Sequence, residues 1–211
     1  MNTYIDNLNW RYATKQFDTT KKLTSGQLDM LCESLRLSPS SSGLQPWKFY
    51  CITDEQTRRE LLPISDEQKQ VVDASALFVI ASRVGFDETD VDRYIARVAE
   101  VRGVSVESLA GFRESRIADI VQGMSKDERD SWCARQSYIA LGFLLSCAAQ
   151  HSIDACPMEG FDAQKVTEYL GADKEGYMVR AYCAVGYRLE TDPLAAKPKV
   201  RFTLDQVVKK I

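Results

Sequence analysis

The chain has 211 residues, 45% of them hydrophobic, and a formal net charge of −3 at pH 7. That length supports one sizeable core, and length alone would permit two small domains. The charge offers nucleic acid no basic excess, and no apolar run approaches a membrane span.

MNTYIDNLNWRY lacks the basic-then-apolar order of a signal peptide. The cysteines at 32, 51, 133, 147, 156 and 183 are scattered with no C-x-x-C pair. A reducing cytoplasm is the expected compartment. Next, WRYATKQFD leaves two readings open. If it is extended, Arg11 and Lys15 share one face about 13 Å apart, at about 3.3 Å per residue, and could hold opposite ends of an elongated anion. If it is helical, the pair is adjacent and solvated.

Thr24 and Gln27 form a capping-box pattern, and Leu28, Leu31 and Leu35 follow at helical spacing. That helix should stop near Ser38-Pro39, because the residue before proline is pushed out of the α region. SPSSSG then leads into a strand over 47–53. Asp54 caps a short helix ending by Pro63, and the apolar run 76–82 reads as a central strand. A helix over 87–102 carries Val91, Tyr94, Ile95, Val98 and Val101 on one face. Residues 105–124 give no clear pattern.

Ser125 and Glu128 open a capped helix that runs to about His151. Its later half is apolar nearly all round and should be buried. In CPMEGF (156–161), Pro157 and Gly160 suggest a tight turn presenting backbone amides. Asp162 caps a helix ending at Gly171, and 178–187 reads as a strand. The tail KPKVRFTLDQVVKKI has no obvious packing partner in its own chain. Helix and strand mix without strict βαβ alternation, which favours an α+β fold in one domain, 1–211.

Much familiar chemistry is missing. The single histidine, His151, reads as structural. There is no zinc-like spacing, no G-x-S-x-G elbow, no phosphate-binding P-loop and no G-x-G-x-x-G. An enzyme built this way would rely on a bound cofactor. Arg83, Arg113 and Arg116 read as solvated surface arginines.

Five motifs in order, RYATKQFD, SPSSSGLQPWKFY, QVVDAS, PMEGF and KPKVRF, closely resemble the FMN-dependent nitroreductase family. The likeness is closest to the oxygen-insensitive nitroreductases and related flavin or dihydropteridine reductases. It runs nearly end to end except over about 85–130, the segment that varies most within the family.

The resemblance implies a nitroreductase-like fold: a mostly antiparallel mixed sheet flanked by helices. It also implies a homodimer in which each C-terminal segment crosses to the partner. It implies FMN as cofactor, NADH or NADPH as donor, and ping-pong hydride transfer through flavin N5 to nitroaromatics, quinones or similar planar acceptors. The alternatives it carries are a dihydropteridine or free-flavin reductase, and a flavin-binding protein without turnover.

Arg11, Lys199 and Arg201 would hold the FMN phosphate, converging across the twofold axis. Planar guanidinium donors match phosphate oxygens. Tyr12 and Ala13 would line the site, and Lys15 would face the flavin N1 and O2 edge. Ser40, Ser41 and Ser42 would line the pocket. Pro157, Met158, Glu159 and Gly160 would lie against the ring, with the amide of Glu159 or Gly160 donating to N5. Gln70 would bond the pyrimidine edge. Glu67 stands where the family commonly carries asparagine, and Lys69 could substitute for it in that contact.

Overall fold

The computed structural model describes residues 3–211. Its strands are β1 (Trp47–Ile52), β2 (Ala76–Arg83), β3 (Asp154–Met158) and β4 (Tyr177–Gly186). They form one sheet in the order β1-β2-β4-β3, each neighbouring pair antiparallel. A parallel contact occurs at the outer edge of β3, as an isolated bridge between Ala13 and Ala155. The fold is α+β, as the mixture of patterns predicts.

β2 lies inside the sheet with both faces covered, which is why its sequence is a continuous apolar run. Its side chains alternate between two cores. Ala76, Phe78 and Ile80 pack with Leu31, Leu35 and Leu144, whereas Leu77, Val79 and Ala81 pack with Leu61, Val166 and Phe17. The first set belongs to the face covered by α2 (Ser25–Arg36) and α7 (Lys126–Gln150). The second belongs to the face covered by α3 (Glu55–Leu61) and α8 (Ala163–Tyr169).

The predicted caps are present. Thr24, Asp54, Ser125 and Asp162 each accept a backbone N–H of the first helical turn. Two elements depart from the sequence reading. Residues Thr3–Trp10 form a helix, α1, and 156–158 belong to β3 rather than to a turn. Proline is tolerated in β3 because β3 is an edge strand; the turn begins only at Glu159.

The segment without a clear pattern is structured. α5 (Glu88–Arg102) is followed by α6 (Ala110–Arg116) and a π-helix over Ile117–Gln122. Leu44, Phe86, Val91, Ile95, Ile117, Ile120 and Trp132 form a third core cluster there. A short α4 (Gln70–Asp73) and a tail turn, α9 (Leu204–Val207), complete the α-helices of the described residues. Val101 is exposed, off the buried face of α5. The later half of α7 is not wholly buried either: Tyr138, Ile139 and Phe143 form an exposed apolar face.

Candidate functional site

The N-terminal arm leaves α1 at Arg11 and runs on without helical structure, as the extended reading of WRYATKQFD requires of its backbone. Ala13 bridges Ala155, and Phe17 bridges Arg188 in the segment after β4. Asp192 joins this arm to the tail. Its Oδ2 accepts from the backbone N–H of Lys15 at 2.7 Å and Gln16 at 2.9 Å, and its Oδ1 from that of Leu194 at 2.8 Å. Burial pushes the Asp192 carboxyl up, but the N–H groups of Gln16, Leu194 and Lys15 more than offset this and hold it below the usual carboxylate range.

This stitching creates a cleft of about 420 Å³ between the arm and the tail. Arg11, Lys199 and Arg201 meet in it within one chain, so their convergence needs no twofold axis. Tyr12 and Ala13 also line it, and so does Lys197, while no acidic side chain does. Lys199 Nζ donates to the carbonyl of Arg11. Burial holds the Arg11 guanidinium below its ordinary range, with Arg201 adding to the effect, and Arg11 Nε is buried without a partner. A buried, unpartnered donor among converging cations fits an anion such as a phosphate. Lys15 is exposed on the arm, and its charge reaches the thiol of Cys156 behind it.

At the far end of β3, Pro157 and Met158 lead into Glu159 and Gly160. The Gly160 carbonyl accepts from Gln68 Nε2 at 2.6 Å, and Tyr138 donates its hydroxyl to Glu159 Oε1 at 2.6 Å. A Cβ on Gly160 would lie 2.8 Å from Gln68 Nε2, so glycine lets these segments approach. Asp66 and Glu67 both have φ of 51°, in the left-handed region. Such strain clusters where loops are over-determined by their surroundings. Glu67 and Lys69 are exposed, and Gln70 is buried at the start of α4. Gln68 therefore reaches the PMEG turn, with the Asp66 carboxylate also beside Gly160. Nothing in the sequence separates Gln68 from Gln70.

Ser40, Ser41 and Ser42 do not line the cation cleft of their own chain. Their loop is held elsewhere: Ser40 Oγ accepts from Gln45 N–H, and Ser41 N–H donates to Gln136 Oε1, both at 2.9 Å. Arg116 Nη1 donates to Ser42 Oγ at 2.8 Å. Because guanidinium is donor-only, this bond leaves the Ser42 hydroxyl proton free for an external acceptor. The three arginines read as solvated are committed to partners. Arg83 pairs with Asp90, Arg113 with Asp92, and Arg116 with Asp119 and Ser42. Arg188, Asp192, Gln136 and Gln68 escaped the sequence reading, since their roles come from contacts between distant segments.

His151 caps the C-terminus of α7 and is exposed. All six cysteines are free. Among the described residues, no group of three or more His, Cys, Asp or Glu side chains could hold a metal, and no helix is long and apolar enough to cross a membrane.

Comparison with known proteins gives the family. The model of the nitroreductase family matches residues 8–187. A Staphylococcus saprophyticus protein named "Putative NAD(P)H nitroreductase SSP0379" is 35% identical over 217 residues, covering 98% of this chain and 96% of that protein. Among solved structures, a nitroreductase-like protein from Streptococcus mutans superposes with a TM-score of 0.85 at 22% identity, covering 100% and 99% of the two chains. A "putative nitroreductase in complex with FMN" from Exiguobacterium sibiricum gives 0.81 at 20% identity, covering 99% and 97%. The matched region includes the N-terminal arm, the serine loop and the PMEG turn. The chain belongs to the nitroreductase family.

Proposed function

We propose that the protein is an NAD(P)H oxidoreductase that binds FMN with the phosphate in the cleft of Arg11, Lys199 and Arg201. The observation that carries this reading is the cleft itself, which gathers Arg11, Lys197, Lys199 and Arg201 from both ends of the chain and no acid. The neighbour solved with FMN and the relatives named as NAD(P)H nitroreductases support it. When bound, FMN would accept hydride from NADH or NADPH and pass it to a planar acceptor such as a nitroaromatic or quinone.

The chain's own residues bind, orient and tune. Lys15 would face the N1 and O2 edge, where a fixed cation favours the more negative form of the ring. Pro157 and Met158 would lie against the flavin, with the backbone N–H of Glu159 or Gly160 aimed at N5. Gln68 steadies that turn through the Gly160 carbonyl. Gln70 would meet the pyrimidine edge, and Glu67 or Lys69 would lie beside it. The serine loop, absent from the cleft of its own chain, would reach the flavin from a second copy. The exposed face of Tyr138, Ile139 and Phe143 supports such a homodimer.

Purified protein should be yellow, bleach anaerobically with NADH or NADPH, and recover its colour with a nitroaromatic or quinone. Protein that holds FMN but is not reduced by either nicotinamide would instead be a flavin carrier. Faster recovery with a dihydropteridine or free flavin would reassign the acceptor.

A further inference from the structure

Arg11, Lys199 and Arg201 share a cleft that no acidic side chain lines, so they repel one another until an anion arrives. Some other contact must hold Arg11 in place. The restraint comes from the residues on either side of it. Trp10 and Tyr12 both lie against the guanidinium of Arg188, whose Cζ is 4.3 Å from the Trp10 ring centroid and 4.5 Å from that of Tyr12. Cations are attracted to aromatic faces at such distances.

Arg188 is itself fixed. Its Nε donates to Asp154 Oδ1 at 2.7 Å, its Nη2 lies 2.6 Å from the same oxygen, and its backbone N–H donates to Oδ2 at 2.9 Å. Asp154 is buried at the first position of β3 and also accepts from Thr14 Oγ1 at 3.3 Å. A rigid connection thus runs from the sheet through Asp154 and Arg188 to both chain neighbours of Arg11.

We propose that Arg188 is a positioning residue for the phosphate site: by gripping Trp10 and Tyr12 it aims Arg11 into the cleft before the ligand binds. Arg188 does not line the cleft, and its charge is balanced by Asp154. Its effect on the ligand is therefore geometric, through pre-organisation. This inference rests on the flavin-phosphate reading of the cleft.

The test compares FMN with riboflavin, which lacks the phosphate, binding to apoprotein by fluorescence quenching. The proteins are wild type, Arg188→Met, Arg188→Lys, Arg11→Ala and the double variant Arg11→Ala/Arg188→Met. Arg188→Met should weaken FMN binding about tenfold, the scale of one charge-assisted hydrogen bond, with riboflavin unchanged. Arg188→Lys keeps the charge but loses the plane, so it should weaken FMN by a smaller factor; it also serves if the methionine variant does not fold. With Arg11 already removed, Arg188→Met should have no further effect. Equal weakening of both flavins, or full additivity with Arg11→Ala, would overturn the inference alone. Wild-type protein that binds riboflavin as tightly as FMN would overturn the phosphate reading and this inference with it.

Discussion

The ammonium of Lys199 sits where two guanidinium groups repel it. Burial lowers its pKa, and the charges of Arg11 and Arg201 lower it further. A phosphate in the cleft reverses the penalty, so the pKa of Lys199 rises on binding. FMN affinity should then be full below the free-protein value and fall as pH rises through the interval between the free and bound values. The fall can reach at most about tenfold per pH unit, since one proton is involved. The phosphate is already a dianion above about pH 7, so it adds no step of its own there. Lys199→Arg, charged throughout, should flatten the profile in fluorescence titrations carried up through the ordinary lysine range, about 10.4. A slope unchanged by that variant would place the titrating group elsewhere. At this scale motifs at the two ends of the chain pointed to Arg11, Lys199 and Arg201, which share one cleft. The sequence was silent on Arg188 and Asp192, because their roles depend on folding back against the N-terminal arm.

The serine loop is a short element whose shape is imposed by its neighbours. Ser42, Gly43 and Gln45 have φ of 54°, 74° and 48°, three left-handed residues within four positions that need outside support. α5 and α6 provide it. Tyr94 occupies the space where a Cβ on Gly43 would go, 2.3 Å from its hydroxyl oxygen. Tyr94 also packs on Phe112, and Arg116 lies over Phe112 while donating to Ser42. Arg116→Ala should therefore loosen the serine loop and the α6 and π-helical segment together. Amide exchange over residues 38–45 and 105–122 should speed up in parallel, with a stability loss of about 1–2 kcal/mol. Faster exchange in the loop alone would show that the two are not coupled. Such coupling was not readable beforehand, because residues 105–124 carry no helical stripe and their support comes from a separate core cluster. The capped helices after Thr24, Asp87 and Ser125 were readable to within a residue or two, whereas the short one after Thr203 was not. β3 was not, since Pro157 and Gly160 give a turn signal that its edge position overrides.

Among the described residues apolar side chains are exposed at several places, including Tyr4 and Ile5 on α1, Leu37, and Val101, Val104 and Val106, and two of the patches are the Tyr138, Ile139 and Phe143 face of α7 and the tail. Val200 is 83% exposed and Phe202 77%, and Leu204, Val207, Val208 and Ile211 are also exposed. Yet Thr203 and Gln206 form a capping box, so the tail carries a built helix start. Structure of that kind on an exposed apolar strand of chain is expected where a second copy covers it. Each such side chain contributes about 1.5–3 kcal/mol when fully buried. Removing residues 203–211 keeps Arg11, Lys199 and Arg201, so the phosphate cleft of each chain is retained. If the tail crosses to a partner, the truncation should raise the dimer dissociation constant by at least about a hundredfold. Sedimentation over a dilution series measures this directly, and FMN should be lost on dilution in step with the dimer, because the serine loop would leave with the partner. A truncated protein that stays dimeric at the same dilution would mean the tail is solvated. One that turns monomeric yet keeps FMN would show that a single chain completes the site.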